Sequence, residues 1–273
     1  MPLDQIDVDA LDKRDPNKMT FLEHLESLRW HIIRSLVAVV AFAIIVFLLK
    51  DFVFNTVIMG PRSSDFLTYK VICAISDRLC FAPPEFQLLT RDLGEQFIVH
   101  LKVSFWLGLV IAIPYVFFEV WKFIRPGLYD KERKAARGFV FVCSFLFFMG
   151  VLFGYYVLSP FAITFLASYD VGATSAPTLH SYVNYMTMFT LPTGIVFQLP
   201  VLVYFLANIG LIGPQFMRTY RKHAFVIILI MASIITPPDV ITQLLITIPL
   251  YFLYEVSIII AARIEKKNMK NNV

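Results

Sequence analysis

Six cations and two acids crowd into the stretch Trp121 to Arg137, WKFIRPGLYDKERKAAR. The cations are Lys122, Arg125, Lys131, Arg133, Lys134 and Arg137; the acids are Asp130 and Glu132, and Phe123 stands near the start. No residue here is arranged for bond-breaking chemistry. The chemistry on offer is recognition: a carboxylate set among cations and partly shielded from water makes short, charge-assisted hydrogen bonds to a guanidinium. Two readings stand at this point. The acids pair with neighbouring cations in a loop that only sets topology, or they form a docking surface for a cationic partner.

Other polar side chains are sparse. Gln198, in FQLP, is the strongly polar group nearest the middle of an apolar run. A buried amide costs free energy unless it is bonded, so it reads either as an interhelical hydrogen bond or as a polar feature lining a wet concavity. Glu255 sits about two turns from the inner end of the last apolar run, where an acid reaching the interface or a neighbouring cation is the simplest account. There is no HExxH, no GxSxG and no Gly-rich phosphate loop, and the five histidines do not cluster in metal-ligand spacing. The expectation is a protein that is not an enzyme and carries neither metal nor cofactor, with no nucleic-acid partner. No pair of ionisable groups sits at mid-membrane, as an ion-coupled carrier would want.

The elements that must hold these groups are membrane spans. The chain is 58% hydrophobic and only 16% charged, with a mean hydropathy of +0.70; a soluble domain carries roughly a quarter charged residues. Eighteen of the 24 Lys and Arg fall in four segments: the N-terminal one (Lys13, Arg14, Lys18, Arg29, Arg34), the loop above, Gly210 to Lys222, and the tail from Arg263. The facing segments are poor in cations, which predicts both termini in the cytoplasm. The first apolar run follows some thirty polar residues with no cleavage pattern after it, so it is expected to stay as an anchor.

The fold class expected is an all-α integral membrane protein. Six proline-bent helices form a cupped bundle with the last two spans short. Residues 1–35 form an N-terminal segment in which Phe21, Leu25, Leu28 and Ile32 make an amphipathic stripe along the membrane surface. The spans are expected at about 36–50, 97–120, 138–159, 182–209, 225–236 and 243–262, with an outer cap over 51–96 and a tail from 263 to 273. Pro114, Pro192 and Pro200 bend their helices. Pro237-Pro238 ends the fifth span, and Asp239 is a good cap for the sixth. In the cap, Cys73 and Cys80 either form a disulfide, if the compartment oxidises thiols, or remain two buried thiols. Cys143, inside a span, reads as packing.

HLESLR (His24 to Arg29), FIRPGLYDKERK (Phe123 to Lys134), FQLP (Phe197 to Pro200) and TPPDVITQ (Thr236 to Gln243) resemble, in order and spacing, the signature segments of TatC. TatC is the polytopic receptor subunit of the twin-arginine protein translocase. The resemblance extends from about Thr20 to Ile264, and its second and fourth segments are specific. It implies a protein of the bacterial plasma membrane that recognises signal peptides with paired arginines on folded cargo and uses the proton-motive force. It also implies single-span TatA-type partners, TatB-type partners where they exist, and self-association in a receptor complex. Carried over residue by residue, the signal-contacting positions are Phe123, Pro126 and Glu132 with the N-terminal motif, including Arg29. The family usually has a glutamate where this chain has Ser27; either Glu26 or Glu23 substitutes, Glu26 being the one expected, or the second arginine is held differently. Gln198, Asp239 and Gln243 occupy positions that the family places on the concave face and in the outer turn. A small-solute transporter or channel is the competing reading, and a bare scaffold the third.

Overall fold

The computed structural model describes residues 21–75, 86–125, 138–168, 176–235 and 240–271. Apart from one isolated bridge, Leu89 to Thr178, the regular structure among these residues is helical.

The first helix, α1, runs unbroken from Phe21 to Leu48. The surface helix and first span expected from the sequence are therefore one element, because no Pro or Gly between Phe21 and Leu48 interrupts the hydrogen-bond ladder. Of the expected stripe, Leu28 is half-buried. Leu25 and Ile32 are exposed, while His24, Ser27 and His31 are half-buried against the bundle. In a bilayer the apolar face of a helix has lipid to meet, and polar groups gain by turning inward.

After a π-helical turn at Val53–Ile58 the chain forms a cap that includes α2, Leu67–Ile75. The backbone at the start of the cap is pinned by tyrosine hydroxyls: from below, Tyr155 donates to the Val57 carbonyl (2.7 Å) and Tyr182 to Ile58 (2.9 Å), and within the cap Tyr69 donates to Pro61 (2.8 Å). Irregular backbone beside a bilayer needs such partners. Tyr182 is buried, so Tyr182→Phe strands the Ile58 carbonyl. This change is expected to lower stability by about 1–3 kcal/mol, read as a fall in the thermal midpoint of the purified protein; an unchanged midpoint would show that the cap is held otherwise.

α3 spans Glu95–Ile124 and α4 spans Phe139–Ser168, the latter passing through a π-helical turn at Gly154–Leu158. Pro160 falls inside this helix, which runs on to Ser168. Pro160 has no amide to offer Tyr156, and the Thr68 hydroxyl of the cap bonds that freed carbonyl instead. The fourth apolar run is split into α5, Leu179–Val196, and α6, Leu199–Asn208. The break falls at Phe197 and Gln198, where Pro200 can give no hydrogen bond to Val196. α7 is the short Pro214–Thr219, α8 spans Arg221–Ile235 and α9 spans Val240–Asn271.

Five of these stretches are long and apolar enough to cross a membrane: His24–Leu48, Glu95–Ile124, Phe139–Ser168, Leu179–Asn208 and Thr242–Lys266. α8, at 15 residues, is short of the roughly twenty that a 30 Å core asks for. α1 lies along α3, α4 along α5, and α9 against α6 and α8. Three buried clusters run through this arrangement: one under the cap around Val99 and Tyr182, one around Phe189, Ile246 and Leu250, and one around Ile258 and Ala261.

Candidate functional site

The start of α1 and the end of α3 meet at the basic end of the bundle. Phe123 stacks on His24, with ring centroids 4.3 Å apart and planes 22° from parallel. His31, two turns further along α1, meets the same ring edge-on at 6.1 Å. His24 and His31 share a helix face because seven residues make close to two full turns.

Beneath that aromatic layer lies Glu119, four residues before Phe123 and so on the same face of α3. It is only 1% exposed. Its Oε2 is 2.6 Å from His31 Nδ1, the Tyr115 hydroxyl bonds it from one turn below, and Lys122 Nζ lies 3.6 Å from its Oε1. The Lys122 ammonium also sits over the Phe118 ring at 4.3 Å. A buried carboxylate is tolerated when it is paired and hydrogen-bonded, and here all three partners are side chains. Together these groups form a covered anionic point beneath aromatic rings, with Lys122 on its exposed side. Such a point suits binding a cation rather than breaking a bond.

Glu119 was not singled out from the sequence. The signal available was a lone carboxylate inside the apolar run FFEVWKF, one turn before Phe123.

The residues that were singled out divide as follows. Phe123 is in the cluster. Glu26 and Arg29 lie on α1, exposed and without an ion pair to any described residue. Pro126 and Glu132 lie outside the described residues, as does Asp239. Gln198 stands at the break between α5 and α6, where its Nε2 donates to the Cys143 carbonyl of α4 at 2.9 Å and its buried Oε1 has no partner among the described residues. Gln243 on α9 donates to the Leu229 carbonyl of α8 at 3.2 Å. Both glutamines thus bond the backbone of a neighbouring helix, away from Phe123. Glu255 pairs with Arg221 at 2.7 Å, the neighbouring-cation role expected for it. Cys73 is disulfide-bonded, Cys143 is a free buried thiol, and Cys80 lies outside the described residues. Among the described residues no group of three or more His, Cys, Asp or Glu is placed to hold a metal.

The fold is that of a polytopic helical membrane protein, with Glu119, His31, His24 and Phe123 gathered at one end of its bundle. The family profile described as "Sec-independent protein translocase protein (TatC)" matches residues 23–249. The TatC protein of a Blattabacterium of Periplaneta americana is 38% identical over 266 residues, covering 93% of this chain and 99% of that one. TatCy of Bacillus subtilis is 31% identical over 258 residues, covering 94% of each. A crystal structure of the twin-arginine translocase receptor TatC superposes with a TM-score of 0.68 at 30% identity, covering 87% of this chain and 97% of that chain. The chain belongs to the TatC family of Sec-independent protein translocase proteins. That membership favours protein translocation over the small-solute transporter.

Proposed function

We propose that this chain is the receptor subunit that captures twin-arginine signal peptides at the cytoplasmic face of a bacterial plasma membrane. The uneven distribution of Lys and Arg puts the basic end, and with it both termini, in the cytoplasm. There the loop carrying Pro126 and Glu132 meets one guanidinium, and Phe123 with the HLESLR segment, including Glu26 and Arg29, supplies the rest of the surface. The apolar part of the signal then lies along the concave face near Gln198. Single-span TatA-type proteins, and TatB-type ones where present, assemble beside the last spans. Copies of the chain associate in a receptor complex, and transport draws on the proton-motive force. The chain itself binds and assembles without catalysing a reaction.

One observation carries this reading. Two segments about a hundred residues apart in sequence, both expected to touch the signal, are joined by the His24–Phe123 stack. The site beneath holds a buried carboxylate, which favours a cationic guest. The test is photocrosslinking of a twin-arginine signal peptide to the full-length chain in membranes, beside the same peptide with both arginines replaced by lysine. The arginine peptide is expected to label the chain strongly and the lysine peptide weakly. Equal labelling by the two would overturn the reading.

A further inference from the structure

We propose that Glu119 is a second carboxylate of the twin-arginine site, receiving one of the two guanidiniums in exchange for its resting partners His31 and Lys122. The proposal rests on the reading just given and adds a residue to it.

Among the described residues two glutamates are buried, and they are held differently. Glu95, at the other end of α3, accepts backbone amides from Arg91 (2.6 Å) and His180 (2.9 Å). Those donors belong to the main chain and cannot leave without unfolding the local structure. Glu119 is held by the side chains of His31, Tyr115 and Lys122, and side chains can swing away. A buried carboxylate needs partners at all times, but these can be exchanged for better ones.

The route in is marked by Lys122. Its side chain is 43% exposed, yet its ammonium comes within 3.6 Å of Oε1. A cation arriving from the solvent side therefore reaches the carboxylate, and at that separation the lysine makes no hydrogen bond that a newcomer must break. A guanidinium outcompetes an ammonium here on three counts. It is more weakly hydrated, it presents forked donors to a carboxylate, and it stacks on flat rings. The half-buried Phe123 ring, backed by His24, lies one turn above Glu119 and offers that surface. Glu26, an acid on the facing part of α1, is exposed, where an ion pair is worth little.

The test uses the full-length protein in lipid nanodiscs and four labelled signal peptides carrying Arg-Arg, Arg-Lys, Lys-Arg and Lys-Lys. Glu119→Gln is expected to weaken binding of the Arg-Arg peptide about tenfold, the loss of one charge-assisted pair. It is also expected to erase the penalty for lysine at one of the two positions. Glu132→Gln erases the penalty at the other. His31→Ala, which removes the resting competitor, tightens binding of the Arg-Arg peptide.

Unchanged affinity in Glu119→Gln overturns the inference. So does equal loss in Glu119→Gln and His31→Ala with the order of the four peptides preserved, since the pair is then only a strut between α1 and α3. If Glu132→Gln loses binding while Glu119→Gln keeps it, this inference alone fails; if neither loses binding, the reading of the site fails with it. Should Glu119→Gln not fold, pairing it with His31→Gln keeps a hydrogen bond between the helices without the charge, and the same comparison applies.

Discussion

Export of a folded twin-arginine substrate is expected to stop in Phe123→Ala while the chain stays in the membrane at its normal level. Phe123 is the ring on which the site is assembled, stacked on His24 at 4.3 Å and edge-on to His31 at 6.1 Å. Truncation to Ala leaves both imidazoles without their aromatic partner and opens Glu119 to water from above. The spans themselves are untouched, because Phe123 lies at the end of α3 and belongs to none of the buried clusters. Loss of these two aromatic pairs removes about 0.5–1.5 kcal/mol each beyond the area they bury, too little to unfold a domain. That loss is nonetheless enough to spoil a surface whose donors and acceptors must hold their geometry. Phe123→Tyr keeps the ring and is expected to keep most of the export. The measurement is appearance of a folded reporter outside the cytoplasm, with the variant's membrane level as control. Normal export by Phe123→Ala would sink the placement of the site, whatever Glu132 does.

Much of the bundle was legible in the sequence, and the reasons are physical. Apolar runs of span length have one stable environment, so hydropathy locates them, and the short α8 was visible as too few apolar residues before Pro237. Pro200 was legible as a bend in the fourth span, whereas the full break at Phe197 and Gln198 was not. What the sequence hid were the features that depend on which way a helix faces. The stripe Phe21, Leu25, Leu28, Ile32 suggested a helix along the membrane surface and left open which polar residues of α1 turn inward. His24, Ser27 and His31 do so, each half-buried. Glu119 was hidden for a related reason. A lone acid near a span end resembles one that snorkels to the interface, and only the meeting of α1 with α3 shows His31 waiting 2.6 Å away. The tyrosine pins under the cap were equally silent, since the carbonyls they reach lie about a hundred residues away in the chain.

That meeting of α1 with α3 depends on Gly108, and Gly108→Leu is expected to break both the fold and the site. A Cβ added at Gly108 would lie 2.6 Å from the Ala43 backbone nitrogen and 2.7 Å from its Cα. The obstacle is main chain, which cannot rotate aside, so the helices themselves must part; small residues at membrane helix crossings exist to permit such an approach. The contact lies between two cross-links of the same pair. About 12 Å along α3 on one side, His100 stacks on Phe47 and bonds its carbonyl; about 16 Å on the other, Glu119 meets His31. A wedge between them loads both. Overpacking of this kind costs about 1–3 kcal/mol or more, and leucine brings three carbons beyond the one that already clashes. Gly108→Leu is expected to lower the thermal midpoint sharply and to abolish crosslinking of the twin-arginine peptide, with Gly108→Ala intermediate in both. Gly94→Ala, where an added Cβ meets nothing within 4 Å, is expected to behave as wild type and serves as the control. If Gly108→Leu melts and crosslinks like Gly94→Ala, α1 does not press on α3 at this point, and the geometry that brings His31 to Glu119 and His24 to Phe123 has lost its support.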